Sequence, residues 1–160
     1  MNLMKRSGKA YLYGILLTEA VGGLAALLTQ EGTRLYNLTI RKPPFSPPPS
    51  VFPIAWTILY ALMGVSDARI WQRPASAERS TALRLFAVQL AVNFFWSIWF
   101  FNLQAFGLAF FWLVLLVALI VRMILVFREI DAPAAWLQLP YLLWVFFAGY
   151  LNYGVWMLNR

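Results

Sequence analysis

Three polar or aromatic residues inside one apolar stretch carry the clearest chemical signal in this chain: Gln89, Asn93 and Trp96. Spacings of four and three set them on one face of a helix. Amides at membrane depth need partners, so they face either another helix or a cavity. Two readings follow: an interhelical hydrogen bond, or a polar anchor in a ligand pocket. Trp96 and Trp144 lie deep in apolar stretches, Trp56 lies one or two turns inside another, and Trp71, Trp136 and Trp156 fall near stretch ends. The last three suit an aromatic belt at the membrane interface. The deeper ones suit core packing or contact with a flat ligand, because aromatic faces stack on one another. Glu19 and Asp67 are carboxylates within or near apolar stretches, where such groups usually have a role. Asp67 has a ready partner in Arg69, and Glu19 has none in sequence. Two carboxylates on different helices do not make an acid–base pair, so no catalytic residue is assigned.

What is missing narrows the chemistry further. The chain has no His and no Cys. Imidazole acid–base work, thiolate nucleophiles, disulfides, zinc clusters and iron–sulfur ligation are excluded, and no metal site is expected. Iron of a haem would have only Met or Tyr to bind, which is less common. No resident cofactor is required.

The elements that position these residues follow from hydropathy. Of the 160 residues 62% are hydrophobic and 12% are charged, and mean hydropathy is +0.68. A soluble globule of this length would have too little polar surface to cover itself. Five spans of about 20 residues would use about 100 apolar positions, close to the number present. The expected fold is an all-α integral membrane protein, a single domain over 1–160, with five transmembrane helices at about 9–28, 51–71, 81–101, 105–127 and 134–158. The first stretch follows Lys5, Arg6 and Lys9 but is long for a signal peptide, so it reads as a retained helix. Between the first two spans, 29–50 contains Pro43, Pro44, Pro47, Pro48 and Pro49, which forbids helix through that run. It reads as an extended cap over the bundle, or as a plain linker. Pro140 falls inside the fifth span, where it would kink the helix. Ala87 and Ala91 give a small-residue spacing that suits close helix contact.

An odd number of spans sets the termini on opposite sides. Lys5, Arg6, Lys9, Arg69, Arg73, Arg79, Arg84, Arg122 and Arg128 fall on the N-terminal side, against Arg34, Arg41, Lys42 and Arg160 on the other. Nine against four predicts an N-terminus inside if the host is a bacterial cell membrane. The net charge of +7 is read as this topology signal, and no nucleic-acid partner is expected.

The run from Lys42 through Pro43-Pro44-Phe45-Ser46-Pro47-Pro48 to Val51-Phe52-Pro53-Ile54-Ala55-Trp56-Thr57-Ile58-Leu59-Tyr60-Ala61-Leu62-Met63-Gly64 resembles the signature of the translocator protein family. This is also called the TspO/MBR, tryptophan-rich sensory protein or peripheral benzodiazepine receptor family. Gln89 to Asn93 with Trp96, Pro140 to Trp144, and Leu151-Asn152-Tyr153 match in the family's order. The resemblance implies a five-helix bundle, commonly a homodimer, with a pocket closed by the first loop. It implies ligands such as protoporphyrin IX, benzodiazepine-type drugs and, in animals, cholesterol. The pocket positions it carries over are Tyr36, Trp56, Tyr60, Asn93, Trp96, Trp144 and Asn152. Expected partners are therefore a porphyrin or drug-like ligand, membrane lipid and a second copy. Two departures argue against animal-type sterol handling. Phe45 stands where the family often has Trp, and six residues part Tyr153 from Arg160 where the proposed sterol pattern allows five. Three functions compete: a receptor or sensor for tetrapyrroles, a light- and oxygen-dependent porphyrin-degrading enzyme, and a small transporter.

Overall fold

The computed structural model describes residues 2–160, with side chains from Ser7 onward. The charges of Lys5 and Arg6, counted in the topology bias, therefore lie outside the described side chains. Seven α-helices run in order: α1 Asn2–Leu28, α2 Gln30–Thr39, α3 Val51–Trp71, α4 Ala77–Ser97, α5 Phe106–Ile130, α6 Ala132–Leu137 and α7 Leu139–Leu158. A π-helical turn, Ile98–Asn102, extends α4. Among the described residues five stretches are long and apolar enough to cross a membrane: Ser7–Leu28, Val51–Trp71, Ala77–Asn102, Phe106–Ile130 and Ala132–Leu158. Every described residue outside the helices lies in a turn, bend or irregular connection. In hydrocarbon only a helix satisfies each backbone group within its own segment.

Local signals set the element ends. Ser76 caps α4 by accepting a hydrogen bond from the Arg79 amide at 3.0 Å, as short hydroxyl side chains do at N-caps. Asp131 caps α6, accepting from the Ala134 amide at 3.1 Å. That carboxylate also receives Arg69 at 3.1 Å and Arg73. It thereby ties the end of α3 to the junction of α5 and α6. The expected pairing of Asp67 with Arg69 does not form: Arg69 is committed to Asp131. Ser66 adds a buried hydrogen bond to the Ala134 carbonyl at 2.7 Å.

The fifth span is not one kinked helix. It breaks at Gln138, and Pro140 falls in the first turn of α7, where its missing N–H is not needed. Gln138 itself is fully buried.

The first connection is also not uniformly extended. Residues 30–39 form α2, with Glu31 in its first turn, where a carboxylate complements the helix dipole. Glu31 also pairs with Arg34. The proline run begins only after this helix and is extended or turn-like. It is pinned to the end of α7: Asn159 accepts from the Arg41 amide at 3.0 Å and donates to the Arg41 carbonyl at 2.8 Å. Tyr150 donates to the Pro44 carbonyl at 2.8 Å. Phe45, at φ 64° and 89% exposed, takes a left-handed turn that L-residues seldom adopt.

Packing follows small residues. Gly14 of α1 and Gly64 of α3 meet backbone to backbone: a Cβ on Gly64 would stand 2.5 Å from the Gly14 carbonyl oxygen. Small residues allow such approach where lipid supplies no hydrophobic drive between helices. α5, the most apolar of the five spans, packs against both α4 and α7. Trp112 of α5 donates to the Val92 carbonyl of α4 at 2.7 Å.

Candidate functional site

A cavity of about 260 Å³ opens at the end of the bundle that carries α2 and the proline run. Its walls come from α1, α2, α3, the end of α4 with the π turn, and α7. The π turn is what aims its aromatic side. The Leu103 amide reaches back five residues to the Ile98 carbonyl at 3.1 Å, widening the helix and shifting the phase of the side chains. Phe100 and Phe101 consequently meet the Tyr36 ring, at 5.3 and 5.4 Å between centroids.

Six of the seven residues singled out in sequence line this cavity: Tyr36, Trp56, Tyr60, Trp96, Trp144 and Asn152. Trp56 and Trp144 stand nearly perpendicular, 6.5 Å apart at 85°, and form an aromatic corner between α3 and α7. Trp56 also packs on Tyr60 at 5.5 Å. On the α4 wall Trp96 stacks on Phe100 at 5.2 Å and 27°. Both rings of the corner are half-buried, which leaves aromatic surface toward the opening.

Asn93 is the exception. It is 1% exposed and is not part of the cavity wall. Its amide donates to the Tyr60 hydroxyl at 3.2 Å, one layer behind the cavity. Gln89 lies deeper still, accepting from the Tyr141 hydroxyl at 2.8 Å. For these two amides the interhelical reading holds. Asn152 reaches the wall, but its polar atoms are committed. Its oxygen accepts from the Trp96 indole at 3.0 Å, and its nitrogen donates to the Phe106 carbonyl at 2.8 Å. It fixes the Trp96 plane by joining α4, α5 and α7, since buried polar groups persist only when paired.

The polar wall that remains was not singled out in sequence: Thr29, Thr33, Asn37 and Ser97. Thr29 is spent on the Ala25 carbonyl at 2.8 Å. Thr33 and Ser97 add hydroxyls to the cavity wall. Thr33 and Asn37 are four apart on α2, and their shared face becomes visible only once 30–39 is read as helix. Lys42, outside the cavity lining, lies over the Tyr36 ring at 4.8 Å, a cation–π contact, and its ammonium donates to the carbonyls at the end of α2. Burial pushes the Tyr36 hydroxyl up to about 12, so it stays a neutral donor. Among the described residues no cluster of acidic side chains is arranged to hold a metal.

Of the belt tryptophans, Trp71 and Trp136 are exposed at span ends. Trp156 instead packs on Phe110 and Phe111, at 6.0 and 5.9 Å. Ala87 and Ala91 are exposed on α4, away from the cavity.

Residues 14–157 match the model of the TspO/MBR family. The chain is 38% identical over 144 residues to the tryptophan-rich protein TspO of Chlorobaculum tepidum, covering 88% of this chain and 89% of that one. It is 36% identical to the translocator protein of Bos taurus, over 92% and 89%. It is 35% identical to the tryptophan-rich protein TspO of Archaeoglobus fulgidus over 99% of both chains.

Proposed function

Given that the chain belongs to the TspO/MBR family of multi-pass membrane proteins, we propose that it is a receptor or sensor that takes a flat aromatic ligand into the α2-capped cavity. The ligand class is a tetrapyrrole such as protoporphyrin IX, with benzodiazepine-type drugs as surrogates. One observation carries this reading: the Trp56–Trp144 corner and Trp96 line one cavity whose wall is almost wholly apolar. Ligand pockets of this kind bind by aromatic burial and are oriented by a few polar groups. Thr33 and Ser97 supply hydroxyls of that sort. Protoporphyrin IX carries two propionates, and the Lys42 ammonium, which lies over the Tyr36 ring and donates to the Tyr36, Asn37 and Ile40 carbonyls, would have to leave those carbonyls to receive one.

At about 260 Å³ the cavity lies below the roughly 300–1,000 Å³ usual for drug-sized ligands. A macrocycle is larger than this, so it either projects through the cavity's opening or displaces α2 and the proline run outward. Asn159 and Tyr150 hold the proline run from exposed positions, while α2 is held by the buried Tyr36 ring packed on Phe100 and Phe101.

Protoporphyrin IX titrated into purified protein in the dark, followed by quenching of tryptophan fluorescence, tests the reading. Saturable binding at one site per chain is expected, and no binding below the porphyrin's aggregation limit rejects it. Repeating the titration under light with oxygen separates a receptor from a photo-oxidative enzyme. Spectral loss of porphyrin that disappears with Trp56→Phe and Trp144→Phe would identify the enzyme.

A further inference from the structure

A second concavity lies outside the cavity just described, on the membrane-facing side of the bundle. It is an open groove of about 820 Å³ between α1 and α4, floored at one end by α3. Its α1 wall runs from Ala10 to Leu24, roughly 21 Å at 1.5 Å per residue. That is about two-thirds of the hydrocarbon thickness of a bilayer. Ala87 and Ala91 keep the α4 wall low. The lining is apolar but for one charged residue, Asp67, at the end near Trp71.

Asp67 has no partner there. Its Oδ1 is sealed from solvent without a hydrogen bond. Two cations near this end are committed, since Arg69 of α3 and Arg73 just beyond it both bind Asp131. Arg79 lies over the Trp71 ring at 5.1 Å and donates to the Arg73 carbonyl. A carboxylate left unpaired in hydrocarbon is costly. A plain acyl chain would cover the groove and leave that cost in place. A second copy docked isologously would present the same patch, bringing another Asp67 and, among the described lining residues, no Lys or Arg.

We propose that the α1/α4 groove binds a single-chain membrane amphiphile with a protonated amine head, its ammonium paired with Asp67 and its chain lying along α1 toward Leu24. The groove's length suits one chain, and its single charge at the end near Trp71 sets the direction. Charge complementarity selects the amine over an acid or an alcohol of the same length.

Native mass spectrometry of the full-length protein with hexadecylamine or hexadecanoic acid tests this. The wild type is expected to retain the amine at concentrations at least tenfold lower than the acid. Asp67→Asn should abolish that preference. Ala91→Trp, which fills the opposite wall, should remove retention of either compound while circular dichroism remains unchanged. Should Asp67→Asn fail to fold, Ala91→Trp decides alone. Equal retention of amine and acid by the wild type overturns the proposal. So does an unchanged preference in Asp67→Asn, or unchanged retention in Ala91→Trp. A dimer that resists the amine and dissociates on Ala91→Trp assigns the groove to a second copy instead.

Discussion

Trp144 and Asn93 look alike in sequence, as polar-edged or aromatic residues deep in spans, yet their surroundings give them different duties. Trp144 offers half-buried ring surface to the cavity. Trp144→Ala should cost on the order of 1–3 kcal/mol of ligand binding, or roughly 5- to 150-fold in affinity. Porphyrin titration of the folded variant checks this, and an unchanged dissociation constant removes α7 from the site. Asn93 spends its amide on Tyr60. Asn93→Leu strands a buried hydroxyl and should lower stability by about 1–2 kcal/mol, while affinity changes by less than about threefold. A larger loss of affinity than of melting temperature would place the amide in ligand contact. Residue type alone could not separate these cases, because an amide looks the same whether its partner is a tyrosine or a ligand.

Between elements, two junctions carry testable weight. The first is the crossing of α1 and α3 at Gly14 and Gly64. Gly64→Val drives a Cβ into the Gly14 backbone, which cannot swing away as a flexible side chain would. Overpacking of this kind should cost about 1–3 kcal/mol or more, read as a lower melting temperature in detergent. A neutral result would mean that the two helices slide apart freely.

The second junction is Asp131, where α3, α5 and α6 meet. Burial pushes its carboxyl up, but Arg73, the Ala134 amide and Arg69 outweigh this and hold it below the usual carboxylate range. A lowered folded pKa contributes stability that is complete above the unfolded value, about 3.9. That contribution is lost as pH falls through the folded value. The melting temperature should therefore hold steady through neutral pH and fall below about pH 4. Asp131→Asn should flatten that acid limb while keeping the helix cap. Asp131→Ala should lose roughly a further 1 kcal/mol with the cap. An acid limb unchanged in both variants would assign it to other carboxylates.

At the scale of the molecule, the five spans are antiparallel in sequence. The cavity, α2, the proline run and the C-terminus therefore share one end, and the Asp131 junction marks the other. The nine-to-four bias of Lys and Arg predicts that the Asp131 end faces the cytoplasm and the cavity opens outward. Reporter fusions in a bacterial host check the orientation. A C-terminal alkaline phosphatase should be active and a C-terminal fluorescent protein dark, and the reverse pattern would turn the molecule over. The same orientation would give the α1/α4 groove a carboxylate near the inner leaflet and the aromatic cavity an opening at the outer one.

Hydropathy by itself determined the class, the number of spans and their limits to within a few residues, because a bilayer demands about 20 apolar residues per crossing whatever they pack against. Absent His and Cys ruled out whole chemistries for the same reason: composition needs no coordinates. The order of the tryptophan and proline motifs pointed to the family and to six residues of the cavity wall. Three features needed the tertiary structure. Residues 30–39 became a helical cap because α2 buries Gly32 and Tyr36 against the bundle, a long-range gain that local pattern hides beside a proline run. The fifth span broke at Gln138 because Pro140 starts a helix as readily as it bends one. Asp131, not Asp67, took Arg69, because a neighbour two residues along a helix points elsewhere while a distant junction brings the carboxylate within 3.1 Å. Spacing fixes which face of a helix a side chain occupies, and only the packing of other helices on that face decides what it meets.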